Sequence, residues 1–140
     1  MKILLDTNIT VDILSNREPF CEASVACYEN ALLRGDKIYI STVSVADVMY
    51  LTRKHFADKT EQFKTVFDFI RTIKIAKVSQ KDLFFAFSGR MSDFEDAVQA
   101  FCAKRHGVKY IITRNVKDYK LSPVMAIEPA DFIKLFGNKN

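Results

Sequence analysis

Short apolar runs alternate along the chain with longer segments in which apolar residues recur about every 3.6 positions. The apolar runs cover residues 1–5, 37–40, 74–78 and 109–112. Such short runs, bounded by polar residues, are typical of buried strands. A fifth run at residues 124–127 follows Pro123 and predicts an edge strand. We therefore predict a sheet of four to five strands.

The segments between these runs predict helices, because their apolar residues fall on one helical face. The predicted helices span residues 22–34, 43–55, 60–72, 80–88, 93–106 and 130–136. Val11, Ile13 and Leu14 begin a further apolar helical face, and Gly35 and Gly107 follow two of the predicted helices. Strands that alternate with helices favour a mainly parallel sheet covered on both faces. The pattern therefore predicts a three-layer α/β/α fold.

Length and composition indicate a single domain. The chain has 140 residues, of which 49% are apolar, enough for a sizeable core. We predict one domain at residues 1–137 and a frayed tail at residues 138–140. No apolar run approaches the roughly 20 residues of a membrane-spanning helix, and no signal sequence is visible, so we expect a cytoplasmic protein that does not enter a membrane.

The charged and sulfur-containing residues narrow the possible functions further. Three cysteines without paired spacing argue against a disulfide framework or a zinc knuckle. The formal net charge of +4 is a mild basic excess that would help a polyanion to approach.

Acidic and amide residues follow the predicted strands. Asp6 ends the first strand, and Asn115 and Asp118 follow the fourth. The carboxyl ends of parallel strands share one rim of the sheet, where functional groups concentrate. Two alternatives remain open, since Asp6 could cap the next helix and Asn115 and Asp118 could form a turn.

Asp47 lies in a predicted helix that is apolar on nearly all sides. A buried carboxylate needs a partner, such as a metal ion or a hydrogen-bond donor. The alternative is that Ser44 caps this helix and Asp47 completes a capping box.

The helix at residues 93–106 begins with several acids. Ser92 and Glu95 have the spacing of a capping box, with Ser92 as the cap and Glu95 reaching back to it. This assignment leaves Asp93 and Asp96 for another role on one side of the first turn. Asp96 borders the apolar stripe and is expected to lie deeper in the rim. The positive helix end alone could also account for one of these acids.

Four segments of the chain resemble those of the PIN-domain nucleases in the same order. They are Leu4-Leu5-Asp6-Thr7-Asn8, the helix with Asp47, Asp96-Ala97, and Ile112-Thr113-Arg114-Asn115. The resemblance covers nearly the whole chain, and such a short chain resembles the VapC-type toxins of toxin–antitoxin pairs. It implies a metal-dependent ribonuclease, an endonuclease that hydrolyses RNA phosphodiester bonds and leaves a 5′-phosphate. It also implies a small antitoxin partner, and we predict a homodimer.

The resemblance implies roles for individual residues. The implied metal ligands are Asp6, Asp47, Asp93, Asp96, Asn115 and Asp118. Catalytic roles are implied for Asp6, Asp47, Asp96 and Asp118, and we expect one of Asp93 and Asp118 to orient the attacking water. We assign RNA contacts to Asn8, Thr113, Arg114 and Lys117. Oxygen ligands of this kind suit Mg²⁺ or Mn²⁺ better than zinc.

Two positions depart from the family pattern and keep other functions open. Asp47 stands where the family usually has Glu, and Asn115 stands where an acid is common. These departures motivate an alternative, a catalytically weakened PIN-fold module that binds RNA or protein. A third possibility is a phosphatase with Asp6 as its nucleophile, although the residue two positions later is Asn8 instead of the usual Asp.

Overall fold

The computed structural model describes residues 1–137, and the predicted tail at residues 138–140 lies outside this described range. The strands are β1 (Lys2–Leu5), β2 (Lys37–Ser41), β3 (Lys74–Ala76), β4 (Tyr110–Ile112) and β5 (Met125–Ile127). The helices are α1 (Thr7–Ser15), α2 (Cys21–Leu33), α3 (Thr42–Thr52), α4 (Lys59–Ile70), α5 (Gln80–Ala86), α6 (Phe94–Arg105) and α7 (Pro129–Phe136). A 3₁₀ turn covers Val116–Tyr119.

The five strands form one parallel sheet in the order β3-β2-β1-β4-β5. This arrangement confirms the predicted α/β class, and β5 is an edge strand as expected. The chain builds outward from β1 through β2 to β3, and then returns to the other side of β1 for β4 and β5. The order therefore reverses between β1 and β4, the point at which open α/β sheets usually bind ligands.

Helices cover both faces of the sheet. Alternate side chains of the central strand β1 point into two hydrophobic cores, one on each face. Ile3 and Leu5 pack with buried residues of α2 and α7, including Cys27 and Phe132. Leu4, between them in sequence, packs on the opposite face against the small buried residues of α6. Successive strand side chains point to opposite faces, which accounts for this division. A third core joins α1, α3 and α4.

The structure differs from the prediction mainly at short elements. No bounds were predicted for α1, which begins directly after Asp6, and the 3₁₀ turn was not predicted. Both elements are short, so their apolar period is weak. Gly35 and Gly107 have left-handed backbone angles of 77° and 74° in φ, which confirms that they end their helices. Within residues 1–137, no helix has both the length and the apolar character needed to cross a bilayer.

Candidate active site

Asp6 sits at the reversal point of the sheet, immediately after β1, and is only 6% exposed. Its Oδ1 accepts the backbone N–H of Thr7 at 2.7 Å, so Asp6 is the N-cap of α1. Its Oδ2 accepts the hydroxyl of Thr113 at 2.7 Å and the amide of Asn8 at 3.4 Å. The capping alternative is therefore observed. It does not remove the carboxylate from the rim, because the same residue lines a cavity there.

Asp96 lies in the first turn of α6, where the predicted capping box is wrong. The helix begins at Phe94, and its N-cap is Asp93, whose Oδ1 accepts the Asp96 backbone N–H at 2.8 Å. Aspartate caps a helix as well as serine does, so this N-terminus is one residue later than predicted. Asp93 therefore has a structural role, and Glu95 is free to contact other groups.

A cavity of about 250 Å³ connects the ends of β1, α6 and the loop after β4. It is lined by Asp6, Thr7, Asn8, Val11, Arg17, Leu51, Glu95, Asp96 and Asn115. Residues far apart in sequence thus bring three carboxylates and two amides to one hollow. Arg17 is the cation among the lining residues. We call this hollow the acidic cavity.

The carboxylates of this region perturb one another. Burial, followed by the negative charges of Asp6, Asp93 and Asp118, raises the pKa of Asp96 to about 7. The pKa of Glu95 also rises to about 7, chiefly through a hydrogen bond with Asp47 and then through burial. Burial disfavours the charged form of a carboxyl group and crowded carboxylates resist joint ionisation, and these two effects together cause both shifts. Such shifts are typical of functional sites.

Asp47 reaches this cluster through Glu95. The alternative in which Ser44 caps α3 is excluded, because α3 begins at Thr42 and the Ser41 hydroxyl accepts the Ser44 backbone N–H at 3.2 Å. Asp47 is half-buried and lies near Glu95, and a hydrogen bond between the two carboxyl groups, which requires one of them to be protonated, is the largest cause of the raised Glu95 pKa. Sequence reasoning missed Glu95 as a site residue because the capping-box spacing explained its presence.

The loop after β4 contains three of the predicted RNA contacts, and two of them are held by the protein itself. The Thr113 hydroxyl is committed to Asp6, and the Asn115 backbone N–H donates to Thr113 Oγ1 at 3.0 Å. The Arg114 guanidinium is paired with Asp12, with Nε 2.7 Å from Oδ2. RNA contacts by Asn8, Thr113, Arg114 and Lys117 therefore stay predictions.

Lys117 and Asp118 lie beside the acidic cavity, in the 3₁₀ turn. Both line a separate hollow of about 310 Å³ together with Arg90 and Lys120. The charge of Asp118 raises the pKa of Asp96, so this hollow lies within electrostatic range of the acidic cavity. Asp118 itself is exposed.

Gln99 and Tyr119 are two buried polar residues that the sequence reasoning also missed. The Gln99 amide donates to Asp6 Oδ1 at 2.6 Å, and the Tyr119 hydroxyl donates to Asp96 Oδ1 at 3.2 Å. A signal for Gln99 did exist, because it is the one polar residue in the run Ala97-Val98-Gln99-Ala100 of a buried helix face.

The available ligand atoms fit a hard divalent cation. All candidate ligands around the acidic cavity are carboxylate, amide or hydroxyl oxygens, which Mg²⁺ and Mn²⁺ prefer. Among the residues that the structure describes, no group of three or more His, Cys, Asp or Glu side chains is arranged to hold a metal ion. The described arrangement therefore supplies the ligand chemistry without a closed coordination shell.

Comparison with known proteins agrees with this architecture. The PIN domain family model matches residues 2–117. The VapC ribonuclease of Aquifex aeolicus (strain VF5) is 23% identical over 114 residues, which cover 79% of this chain and 84% of the relative.

Two solved structures share the fold. VapBC2 from Rickettsia felis, bound to a promoter DNA fragment, has a TM-score of 0.69 at 20% identity, covering 91% of this chain and 98% of that chain. A toxin–antitoxin complex from Klebsiella pneumoniae has a TM-score of 0.68 at 24% identity, covering 91% of this chain and 97% of that chain. The residues matched by the family model, together with the five-stranded parallel sheet, show that this chain belongs to the PIN domain family.

Proposed function

We propose that this protein is a divalent-metal-dependent endoribonuclease that hydrolyses RNA phosphodiester bonds, and that it is the toxin of a toxin–antitoxin pair. One observation carries the proposal. Asp6 and Asp96, which are far apart in sequence, line the same cavity, and the charge of Asp6 helps to raise the pKa of Asp96 to about 7. Such crowding of carboxylates is relieved by a bound cation.

In this proposal Asp6 and Asp96 hold Mg²⁺ or Mn²⁺, and Glu95 and Asn115 complete the set from the cavity wall. Asp47 acts through its hydrogen bond with Glu95. When bound, the cation would lower the pKa of a coordinated water and neutralise charge that grows on the phosphate.

Each acidic residue contributes differently to this chemistry. Asp6 accepts hydrogen bonds on both carboxylate oxygens, from Thr7 and Gln99 on one and from Thr113 on the other, so its orientation is held. Asp93 caps α6 and keeps the Asp96 backbone in place. Asp118 is exposed next to this group, and we assign it the role of orienting the attacking water.

An RNA substrate must bring its negative charge towards an acidic cavity, so cations are needed near it. Arg90, Lys117 and Lys120 line the hollow beside Asp118. Within residues 1–137, none of these three cations forms a salt bridge. We therefore propose that the RNA backbone passes along this hollow on its way to the acidic cavity.

An antitoxin partner is supported by the similar structure from Klebsiella pneumoniae, which is a toxin–antitoxin complex. Exposed apolar side chains on α3 and α4, including Leu51, Phe63 and Phe67, offer a surface for it. Leu51 also lines the acidic cavity, so a polypeptide on this surface would cover the mouth of the cavity. For the homodimer we propose the exposed aromatic surface at α5, with Phe84 and Phe87 at 64% and 74% exposure.

A second candidate is a PIN-fold module that binds RNA or protein without efficient cleavage. Within residues 1–137, no three His, Cys, Asp or Glu side chains are arranged to bind a metal ion, which supports this candidate. The contact of Asp47 with Glu95 supports it as well. A phosphatase with Asp6 as nucleophile has weaker support, because the residue two positions after Asp6 is Asn8 instead of the usual Asp. Detection of a phosphoryl-Asp6 species would reverse that ranking.

Cleavage of RNA in the presence of Mn²⁺ separates the first two candidates. We expect the native protein to cut RNA and to leave 5′-phosphate ends, and the Asp6→Asn/Asp96→Asn double variant to be inactive. RNA binding by the double variant, measured by fluorescence anisotropy, should persist. Equal residual cleavage by both proteins would exclude the nuclease, and retained binding would then favour the module.

A further inference from the structure

Gln99 occupies a place in the core where an apolar residue would be expected. It is 5% exposed, and Ala97, Val98, Ala100 and Cys102 around it on α6 are buried apolar residues. A buried amide is tolerated only where its hydrogen-bonding atoms find partners. The partners of Gln99 therefore indicate what the residue does.

Every hydrogen-bonding position of the Gln99 amide is used. Nε2 donates to Asp6 Oδ1 at 2.6 Å and to the Tyr119 hydroxyl oxygen at 2.9 Å. Oε1 accepts the hydroxyls of Ser41 at 3.1 Å and Ser44 at 2.6 Å. An amide has two N–H groups and two lone pairs on oxygen, so none is left over. A flipped amide would place its oxygen against the Asp6 carboxylate, so one orientation is strongly preferred.

This orientation gives the surrounding hydrogen bonds a direction. The Thr7 hydroxyl donates to Ser44 Oγ at 2.8 Å, and Ser44 in turn donates to Gln99. Because Gln99 donates to the Tyr119 oxygen, the hydroxyl proton of Tyr119 remains available for Asp96 Oδ1. The two branches of this network thus end on Asp6 and on Asp96.

We propose that Gln99 is a positioning residue that sets the orientation of Asp6 directly and that of Asp96 through Tyr119. A single buried amide, 93 positions from Asp6 in sequence, then connects Asp6 and Asp96, two of the carboxylates that line the acidic cavity. The catalytic consequence rests on the proposed nuclease function, whereas the orientation of the side chains does not. Groups that orient metal-binding carboxylates typically change metal affinity or activity by ~10- to 100-fold when they are removed.

The test uses Gln99→Met, which keeps the length of the side chain and removes its four hydrogen bonds. Gln62→Met is a matched control. Gln62 is also 5% exposed and donates to Met49 O and Thr52 Oγ1, but its hydrogen bonds do not involve the acidic cavity. Crystal structures of both variants would show the side chains of Asp6, Asp96 and Tyr119. Electron paramagnetic resonance of Mn²⁺ and steady-state cleavage kinetics would measure the consequences.

In the Gln99→Met crystal we expect the Asp6 carboxylate to turn and the hydrogen bond from Tyr119 to Asp96 to be lost. We expect Mn²⁺ affinity and kcat to fall ~10- to 100-fold while KM for RNA changes less than about threefold, and the control to match the native protein. Native positions of Asp6, Asp96 and Tyr119 in the Gln99→Met crystal would overturn the proposal. If the native protein cuts no RNA, the proposed function fails, but these crystals still decide the role of Gln99.

Tyr119→Phe provides a second route should Gln99→Met fail to fold. It keeps the packed ring and removes the hydroxyl through which Gln99 is linked to Asp96. We therefore expect Asp96 to reorient while Asp6 keeps its place. An unchanged Asp96 in that crystal would refute the branch through Tyr119. Loss of Asp6 orientation there would instead refute the direct control of Asp6 by Gln99.

Discussion

Arg114 binds Asp12 at two points, with Nε 2.7 Å from Oδ2 and Nη2 3.2 Å from Oδ1, and so ties the loop after β4 to α1. Asp12 is fully buried, and the Arg114 guanidinium also stacks over Phe20 with its carbon 3.9 Å from the ring centre. The Arg114 backbone N–H donates to Asn8 Oδ1 at 3.3 Å. This ion pair is therefore a structural support of the site rim.

The first prediction concerns this ion pair. Arg114→Met should reduce the free energy of unfolding by ~3 kcal/mol. The buried Asp12 carboxylate would keep only its longer ion pair with Arg17, whose Nε lies 3.8 Å from Asp12 Oδ1. Urea denaturation of the metal-free protein measures the loss. Arg114→Lys should lose less, since it keeps the charge but not the two-point geometry. An unfolding free energy within about 0.5 kcal/mol of the native value for Arg114→Met would contradict the structural role.

The second prediction concerns pH. Asp96 and Glu95 have folded-state pKa values raised to about 7 from 3.8 and 4.5. At pH values between the unfolded-state and the folded-state pKa, the folded protein therefore binds more protons than the unfolded chain. The free energy of unfolding should fall as pH rises through this range towards 7. Asp82 has a lowered pKa, so its opposite effect is confined to more acidic solutions.

Thermal unfolding in EDTA at about pH 5 and about pH 8 tests this sign. A shift of one pKa unit corresponds to ~1.4 kcal/mol, but solvent screening reduces this value for partly exposed carboxylates. We therefore expect the free energy of unfolding to be lower at the higher pH by an amount on the order of 1–2 kcal/mol. Asp96→Asn and Glu95→Gln should each flatten the dependence. Greater stability at the higher pH in the metal-free protein would show that the crowding of carboxylates is not as described.

The third prediction concerns the thiols. Burial raises the pKa of Cys27 to about 12 and that of Cys102 to about 11. The thiolate is the reactive form, so both should resist Ellman's reagent near pH 8 in the folded protein. Cys21 is half-buried, and we expect it to react first. In urea all three cysteines should react. The Cys21→Ser variant should show no fast phase, and a fast phase in that variant would contradict the burial of the other two.

The fourth prediction concerns RNA capture. Lys117→Ala and Arg90→Ala remove cations of the hollow beside Asp118, so each should raise KM for RNA about fivefold while kcat stays within about twofold. The dependence of KM on salt should weaken, since one phosphate contact fewer is made. Lys134→Ala is the control, because Lys134 lies on α7 and pairs with Asp131. Equal effects of all three variants would indicate a general charge effect instead of a defined RNA path.

The fifth prediction concerns self-association. The double variant Phe84→Glu/Phe87→Glu places charges in the exposed aromatic surface of α5, where Phe87 also packs on Phe94 at 4.7 Å between ring centres. Light scattering should show a dimer for the native chain and a monomer for this variant at micromolar concentration. Phe63→Glu on α4 should leave the dimer intact, and a native monomer would remove the dimer proposal.

Much of the fold follows from local patterns. The apolar runs ending at Leu5 and Ile112 predicted β1 and β4, and the alternation of strands with helices predicted their parallel pairing, which the register of Leu4 with Ile111 confirms. These features are readable because strand and helix periods are properties of neighbouring residues, and because parallel strands place their carboxyl ends on one rim. Asp6 could therefore be assigned to that rim from the sequence.

The exact start of each helix was less readable, because several residues near it can act as the cap. Ser92 and Asp93 are both good caps, as are Ser41 and Ser44, and the choice between them depends on how α6 and α3 pack on the sheet. That choice decided the role of Glu95, which contacts Asp47 instead of closing a capping box.

The sequence by itself thus determined the class of fold, the succession of strands and helices along the chain and the edge of the sheet where acidic residues collect. Only the tertiary structure decided which side chains meet there, including the bond from Gln99 to Asp6 and the pairing of Arg114 with Asp12. The physical reason is that periodicity records contacts with a surface, whereas these hydrogen bonds join residues about a hundred positions apart and depend on the packing of whole helices.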